Sequence, residues 1–300
     1  MDDDFAHLLG SWFNRGFLVL RRIDWSTPAD ILERIIRYEA VHAISDWGEL
    51  RRRVQPADRR CFAFFHPSLV DEPLIFVEVA LTREIPASIQ DLLADGREVL
   101  APEQATTAVF YSISNCQPGL KGVSFGSFLI KQVVEELSRD LPGLETFVTL
   151  SPAPGFGAWL DRALDDPSVG VDPAPLRVLR QGGEPPPPAA VEGLRPALLS
   201  LGAAYFLNAK TASGRPLDPV ARFHLGNGAR LERLNWPGDT SPKGLREAAG
   251  LMVNYLYDLR HIEANHEAYA NDGVVVAADA VRRHLPPAAA AKPAREAADV

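Results

Sequence analysis

The sequence predicts a mixed α/β (α+β) domain, and three observations predict it. Short aromatic or β-branched runs recur at 61–66 (CFAFFH), 73–81 (PLIFVEVAL), 107–114 (TAVFYSIS) and 145–150 (ETFVTL). The first two are bounded by Pro, Asp and Glu, and such runs read as strands. Between the last two lies a helical segment, roughly 124–140, whose Phe125, Phe128, Leu129, Val133 and Leu137 fall near helical spacing. Strand, Gly-rich turn, long helix and strand in that order form a βαβ-type unit. The third observation is a long, mainly helical stretch at 157–215, which adds helices to the sheet rather than simply alternating with strands.

The remaining elements follow in chain order. Residues 5–20 read as an amphipathic helix entering a loop. Ser26-Thr27-Pro28-Ala29-Asp30 offers a helix cap before ILERIIRYEAVH. Pro142-Gly143 ends the central helix. Gly182-Gly183-Glu184 and the four prolines at 185–188 mark a surface linker inside the helical stretch. The α/β pattern returns at 220–236, followed by a helix around 243–260. The Ala- and Pro-rich tail from Pro286 is expected to be disordered.

Composition narrows the function classes. With 46% hydrophobic and 23% charged residues among 300, the chain can build an ordinary core. A net charge of −8 disfavours a general nucleic-acid binder, which needs a basic face. Cys61 and Cys116 form no CxxC pair, so neither a disulfide framework nor a structural zinc site is expected. The start carries an acidic Asp2-Asp3-Asp4 run and no basic region, so no signal peptide is read there. No apolar run reaches membrane-spanning length, and the chain lacks the Ser-Lys-Leu peroxisomal ending.

One motif points to phosphate. Gly119, Lys121, Gly122, Val123, Ser124, Phe125 and Gly126 connect a strand to a helix N-terminus. Free backbone N–H groups and the helix dipole there favour an anion, and glycines permit close approach. Lys121 and Lys131 could add charge. The plainer alternative is a glycine turn that happens to precede a helix. The same residues match the G-x-S-x-G nucleophile elbow, with Ser124 as nucleophile. An elbow needs the serine directly after a strand, and the strand ends near Ser114, so Ser124 reads better as a helix cap or phosphate contact.

Longer segments carry a resemblance. VFYSISNCQPGLKGVSFGSFLIKQVVEEL (109–137), TLSPAPGFGAWL (149–160), PVARFHLGNGARLERLNW (219–236) and GLMVNYLYDL (250–259) resemble malonyl-CoA decarboxylases. So do GSWFNRGFLVLRRIDW (10–25) and EAVHAISDW (39–47). The resemblance implies an acetyl-CoA N-acetyltransferase-like mixed sheet, with the CoA diphosphate held by the Gly-rich loop and the helix after it. It implies Ser151 as the catalytic serine, in Ser-Pro-x-Pro-Gly-Phe, and His224 as the catalytic histidine, in Phe-His-Leu-x-Asn-Gly-Ala. The family carries a helical assembly domain before the catalytic one, and this chain begins near the end of that region. The expected organisation is a remnant helical segment at 1–50, a catalytic domain at 51–285 with its helical insertion at about 157–215, and a disordered tail at 286–300. Expected partners are malonyl-CoA and acetyl-CoA, with no nucleic acid and no membrane, and a homo-oligomer is compatible. The expected location is a bacterial cytoplasm.

The implied chemistry asks little of a cofactor. The thioester carbonyl accepts the electrons, so no metal or other cofactor is expected, and coenzyme A arrives with the substrate. Geometry, hydrogen bonds and a proton donor are what the protein must supply. His224 suits proton delivery to the enolate carbon; taken alone, it would read as a structural histidine on a strand. Ser151 would orient the carboxylate or bond to His224; the plain reading is a turn serine before proline. Asn115 is a candidate polar contact, and Asn254 and Tyr255 are candidate lining residues. His261, Glu263, His266 and Glu267 lack the HExxH pattern and read as a solvated helix face. Three competing functions stay open: a CoA-dependent N-acyltransferase, an acyl-CoA or ester hydrolase using Ser124, and a non-catalytic CoA-binding module.

Overall fold

The computed structural model describes residues 17–117, 126–165, 173–181 and 188–285. The chain starts with β1 (Val19–Ile23), then α1 (Ala29–Tyr38), α2 (Trp47–Val54), β2 (Arg59–Phe65), β3 (Pro73–Thr82) and α3 (Ile89–Leu93). The central unit is β4 (Thr107–Asn115), α4 (Gly126–Asp140) and β5 (Thr146–Thr149), with the short β6 (Ser151–Pro152) close behind. Helices α5 (Phe156–Ala163), α6 (Pro173–Gln181), α7 (Pro188–Asn208) and α8 (Pro219–Gly226) come next. The chain closes with β7 (Arg230–Asn235), α9 (Pro242–Ala248), β8 (Met252–Leu256), α10 (Ile262–Asp272) and α11 (Asp279–Arg282).

Among the described residues the strands form one mixed sheet in the order β1-β2-β3-β4-β5-β8-β6, with β7 also on β8. Only the β4–β5 pair is parallel, as a strand–helix–strand crossover requires. Strands β2 and β3 are buried on both faces. One face packs Phe62, Phe64, Val77 and Val79 against Leu129, Val133 and Leu137 of α4, three members of the helical stripe expected from spacing. The other face packs Cys61, Ala63, Phe65 and Phe76 against Ile31, Leu32 and Ile35 of α1. Each such aliphatic side chain contributes about 1.5–3 kcal/mol. Cys61 and Cys116 are both buried and free.

Several expectations need correcting. Residues 19 and 20, expected in a helix, begin β1, which pairs antiparallel with β2 and so belongs to the main sheet. From Val19 to Ile23 only the closing Ile23 is fully buried, as suits a strand at the edge of the sheet. The expected cap before α1 is absent: Pro28 holds the cap position with no side-chain hydrogen bond, and Thr27 Oγ1 instead accepts from Asp24 N at 3.0 Å. The helix expected over 243–260 splits into α9 and β8. Ala249 and Gly250, at φ +49° and +81°, break it in the left-handed region. The linker at 182–187 and the tail from 286 lie outside the described residues, as do residues 1–16. Among the described residues, no helix is long and apolar enough to cross a membrane.

Behind β4, buried polar groups hold one turn in place. Glu39 accepts from Ser112 Oγ at 2.8 and 2.9 Å, from Ser114 Oγ at 3.2 Å, and from Val41 N and His42 N at 2.8 Å each. Arg53 donates to the fully buried Glu78 at 3.1 Å. Burial first, then the nearby Glu39, pushes the Glu78 carboxyl up to about 8. This network sets the Glu39–His42 turn so that Val41 reaches the main pocket.

Candidate active site

The sheet opens where β5 ends. Pairing of β4 with β5 stops at Phe110–Thr149, while β4 continues to Asn115. Past β5 the backbone turns away from β4, and Ser151 pairs with Val253 of β8. At the same point β4 bulges: Glu78 lies opposite Ser112 and Val79 opposite Phe110, which leaves Tyr111 without a partner on β3. The gap is a pocket of about 680 Å³. Ile75, Val77, Phe110, Ile113, Leu129 and Ile130 make its walls apolar, and Ser151 and His224 belong to its lining.

The two residues expected to act together do meet. Ser151 Oγ and His224 Nε2 are 3.1 Å apart, and both side chains are buried. Ser151 Oγ also donates to Thr149 Oγ1 at 2.9 Å, and Tyr255 N donates to that same oxygen at 3.1 Å. His224 sits on α8, a helix, where a strand would have been the plain reading. Asp218-Pro219 explains why: Asp218 caps the helix by accepting from Ala221 N at 2.9 Å, and Pro219 takes the first turn. The buried Asp218 also accepts from Tyr205 OH at 3.3 Å and Gly155 N at 3.4 Å. One carboxylate therefore ties the loop after Ser151 to the helix bearing His224.

Two tyrosines complete the histidine's surroundings. The His224 ring stacks on Tyr255 at 4.6 Å and 25°. Its Nδ1 lies 2.8 Å from Tyr257 OH. Tyr255 lies on β8 and Tyr257 one residue past its end, where Tyr257 N still donates to Phe147 O of β5 at 2.8 Å, so the extended alternation brings both to the same face. Tyr257 escaped the sequence reading because the segment was read as a helix, and a helix turns residues two apart to different faces. The available signal was the N-Y-L-Y alternation itself. Asn254, a candidate lining residue, is structural: Nδ2 donates to Thr149 O at 2.8 Å, and Oδ1 accepts from Asn235 at 2.8 Å.

The other expected residues scatter. Gly119, Lys121, Gly122, Val123, Ser124 and Phe125 lie outside the described residues, and Gly126 begins α4. Asn115 lines the pocket. Lys131 forms an ion pair with Glu263. His261 bonds to Asp258 and His266 to Gly226 O, at 2.8 and 2.6 Å. Among the described residues, no three His, Cys, Asp or Glu side chains are grouped to hold a metal.

Burial sets the charge state of the site. It pushes His224 down to about 3 and His42 down to about 4, so both are neutral at pH 7. Below pH 6.5 the unfolded chain takes up protons at these residues that the folded chain refuses. Stability must therefore fall as pH drops from about 6.5 toward 4, with a slope of up to ~1.4 kcal/mol per unit for each histidine. Urea unfolding at stepped pH measures this slope, and replacing His42 by Gln should reduce it.

Comparison with known proteins covers nearly the whole chain. Residues 16–295 match the family model for the malonyl-CoA decarboxylase C-terminal domain. A mitochondrial malonyl-CoA decarboxylase from Anser anser anser is 40% identical over 305 residues, covering 94% of this chain and 60% of the relative. The chain thus spans about three-fifths of that curated relative. The crystal structure of malonyl-CoA decarboxylase from Rhodopseudomonas palustris is 62% identical, covers 94% of this chain and 70% of its own, and superposes with a TM-score of 0.88. That from Agrobacterium vitis is 60% identical, covers 95% and 71%, and gives a TM-score of 0.89.

Proposed function

Because the chain belongs to the malonyl-CoA decarboxylase family, we propose that it converts malonyl-CoA to acetyl-CoA and CO2 with no cofactor beyond the coenzyme A its substrate carries. The observation that carries this reading is the Ser151–His224 contact in an apolar pocket at the opening of the sheet.

The reaction breaks the bond between the carboxyl carbon and the α-carbon. Its electron pair moves into the thioester as an enolate, CO2 leaves, and the α-carbon takes one proton. The malonyl carboxylate lies among apolar walls that solvate it poorly, and its charge disperses as CO2 departs. When substrate is bound, Ser151 Oγ turns its single O–H from Thr149 to that carboxylate and orients it, while still accepting from His224 Nε2. Tyr111, which lies opposite no residue of β3 and lines the pocket, would turn its backbone N–H to the charge that develops on the thioester oxygen.

His224 supplies the proton from its neutral ring. An enolate carbon is basic enough to take a proton from a neutral imidazole. As Nε2 gives up its proton, Tyr257 OH passes one to Nδ1, so the ring never becomes an anion. Tyr257 is then refilled from solvent. Tyr257→Phe removes this step and should lower kcat about tenfold to a hundredfold with KM little changed. Steady-state kinetics of that variant measures it, and an unaltered kcat would remove Tyr257 from the proton path.

The test is product analysis of the purified chain with malonyl-CoA. Equal amounts of acetyl-CoA and CO2, with no free thiol, are expected. Free CoA as the main product would replace decarboxylation by hydrolysis. CoA release that depends on an added amine would replace it by acyl transfer.

A further inference from the structure

We propose that Arg215 and Arg222 form the phosphate-binding end of the substrate pocket, gripping the phosphates of the coenzyme A portion of the substrate. The assignment rests on the decarboxylase reading above for the identity of the ligand. Its grounds are where the two cations lie and what they lack.

Both guanidinium-bearing residues line the pocket that Ser151 and His224 line, and among the described residues no other residue of its lining carries a fixed charge. Arg222 is held in place: its Nη1 donates to Pro216 O at 2.9 Å and Leu217 O at 2.7 Å. Those are neutral acceptors, so the positive charge is anchored but not neutralised. Arg215 is exposed and sits on a tight turn. Thr211 N donates to Arg215 O at 2.7 Å, Arg215 N to Thr211 Oγ1 at 3.2 Å, and Gly214 takes φ +76°. The turn fixes its backbone and leaves its side chain free to meet a ligand.

Among the described residues, neither arginine forms an ion pair. The nearest acid in sequence is Asp218, whose oxygens are turned to Ala221 N, Gly155 N and Tyr205 OH. Across the site, Lys131 is already paired with Glu263. The pocket thus combines long apolar walls, a neutral reacting pair and two uncompensated cations. A thioester on a pantetheine arm that ends in phosphates carries the matching apolar and charged parts. Arginine is also the side chain best shaped to grip phosphate oxygens.

The test compares wild type with Arg215→Ala on malonyl-CoA and on malonyl-pantetheine, which carries no phosphate. Arg215 is the residue to vary, because Arg222 also holds the turn. The KM for malonyl-CoA should rise about tenfold with kcat within twofold, and Arg215→Lys should restore most of the loss. On malonyl-pantetheine, wild type and variant should match. A similar loss on both substrates would overturn the assignment and place Arg215 at the malonyl end or in the fold, and no loss on either would place the phosphates elsewhere. Calorimetric titration with free CoA reads the same contact without turnover. Weaker CoA binding in Arg215→Ala upholds the assignment even in an enzyme that decarboxylates nothing, and equal CoA binding overturns it. Dephospho-CoA then separates the sources: a persisting penalty assigns the diphosphate, and a vanished one assigns the 3′-phosphate.

Discussion

Replacing His224 by alanine is expected to lower kcat at least about a thousandfold, the scale on which a positioned proton donor acts. The fold should survive at reduced stability. The ring is buried between Tyr255 and Tyr257, and its removal leaves a cavity and strands the Tyr257 hydroxyl, at a cost of about 2–4 kcal/mol. His224→Gln fills most of the space and keeps a polar group near Ser151, so it should recover stability without recovering turnover. Circular dichroism and urea unfolding separate the two effects. A His224→Gln enzyme with near-normal kcat would end the proposed role of the imidazole. Ser151 is unchanged in either variant and stays next to Thr149, ready to turn its hydroxyl to the carboxylate, so substrate binding should weaken far less than turnover.

The second large effect concerns stability. Gly228→Ala should destabilise the chain by more than about 3 kcal/mol, because two penalties fall on one position. Gly228 has φ +81°, and an added Cβ would lie 2.1 Å from Ile262 O and 2.8 Å from Ile262 Cγ1. The carbonyl belongs to α10 and cannot swing aside as a side-chain end can. The turn also closes α8, since Asn227 N and Ala229 N both bond to His224 O. Relief of the clash must therefore move the helix that carries His224, and activity should fall with stability. Gly96→Ala is the control: φ is +74° there, but nothing lies within 4 Å, so only the backbone penalty of about 1–2 kcal/mol remains. Urea unfolding of the pair decides the matter. Equal losses would show that the contact with Ile262 relaxes freely.

Strands β2, β3, β4 and β5 were legible as short aromatic or β-branched runs, and helix α4 as an apolar stripe ended by Pro142-Gly143. These signals lie within each segment, whatever packs opposite. The Asp218-Pro219 start of α8 was equally local, a capping residue followed by proline, yet its helix was missed because the eight-residue element is short and its apolar pattern faint. The segment 243–260 was misread for a related reason. Its break lies at Ala249 and Gly250, and an alanine in a left-handed conformation leaves no mark in composition.

The site divides along the same line. Ser151 and His224 stood out through their motifs, and their chemical types matched the reaction those motifs imply. Sequence by itself also determined the mixed α/β class, the buried stripe of α4 and the net charge of −8. Only the tertiary structure decided that Ser151 and His224, 73 residues apart, lie in hydrogen-bond contact. Only it put Tyr257 on the far nitrogen of the imidazole and opened the sheet between β4 and β6. It also made the histidine neutral, since its shift comes from burial alone. The physical reason is one of range. Periodicity, caps and turns are set by residues a few positions away, whereas a pocket, a relay and a shifted pKa arise from groups that meet only when distant strands and helices pack together.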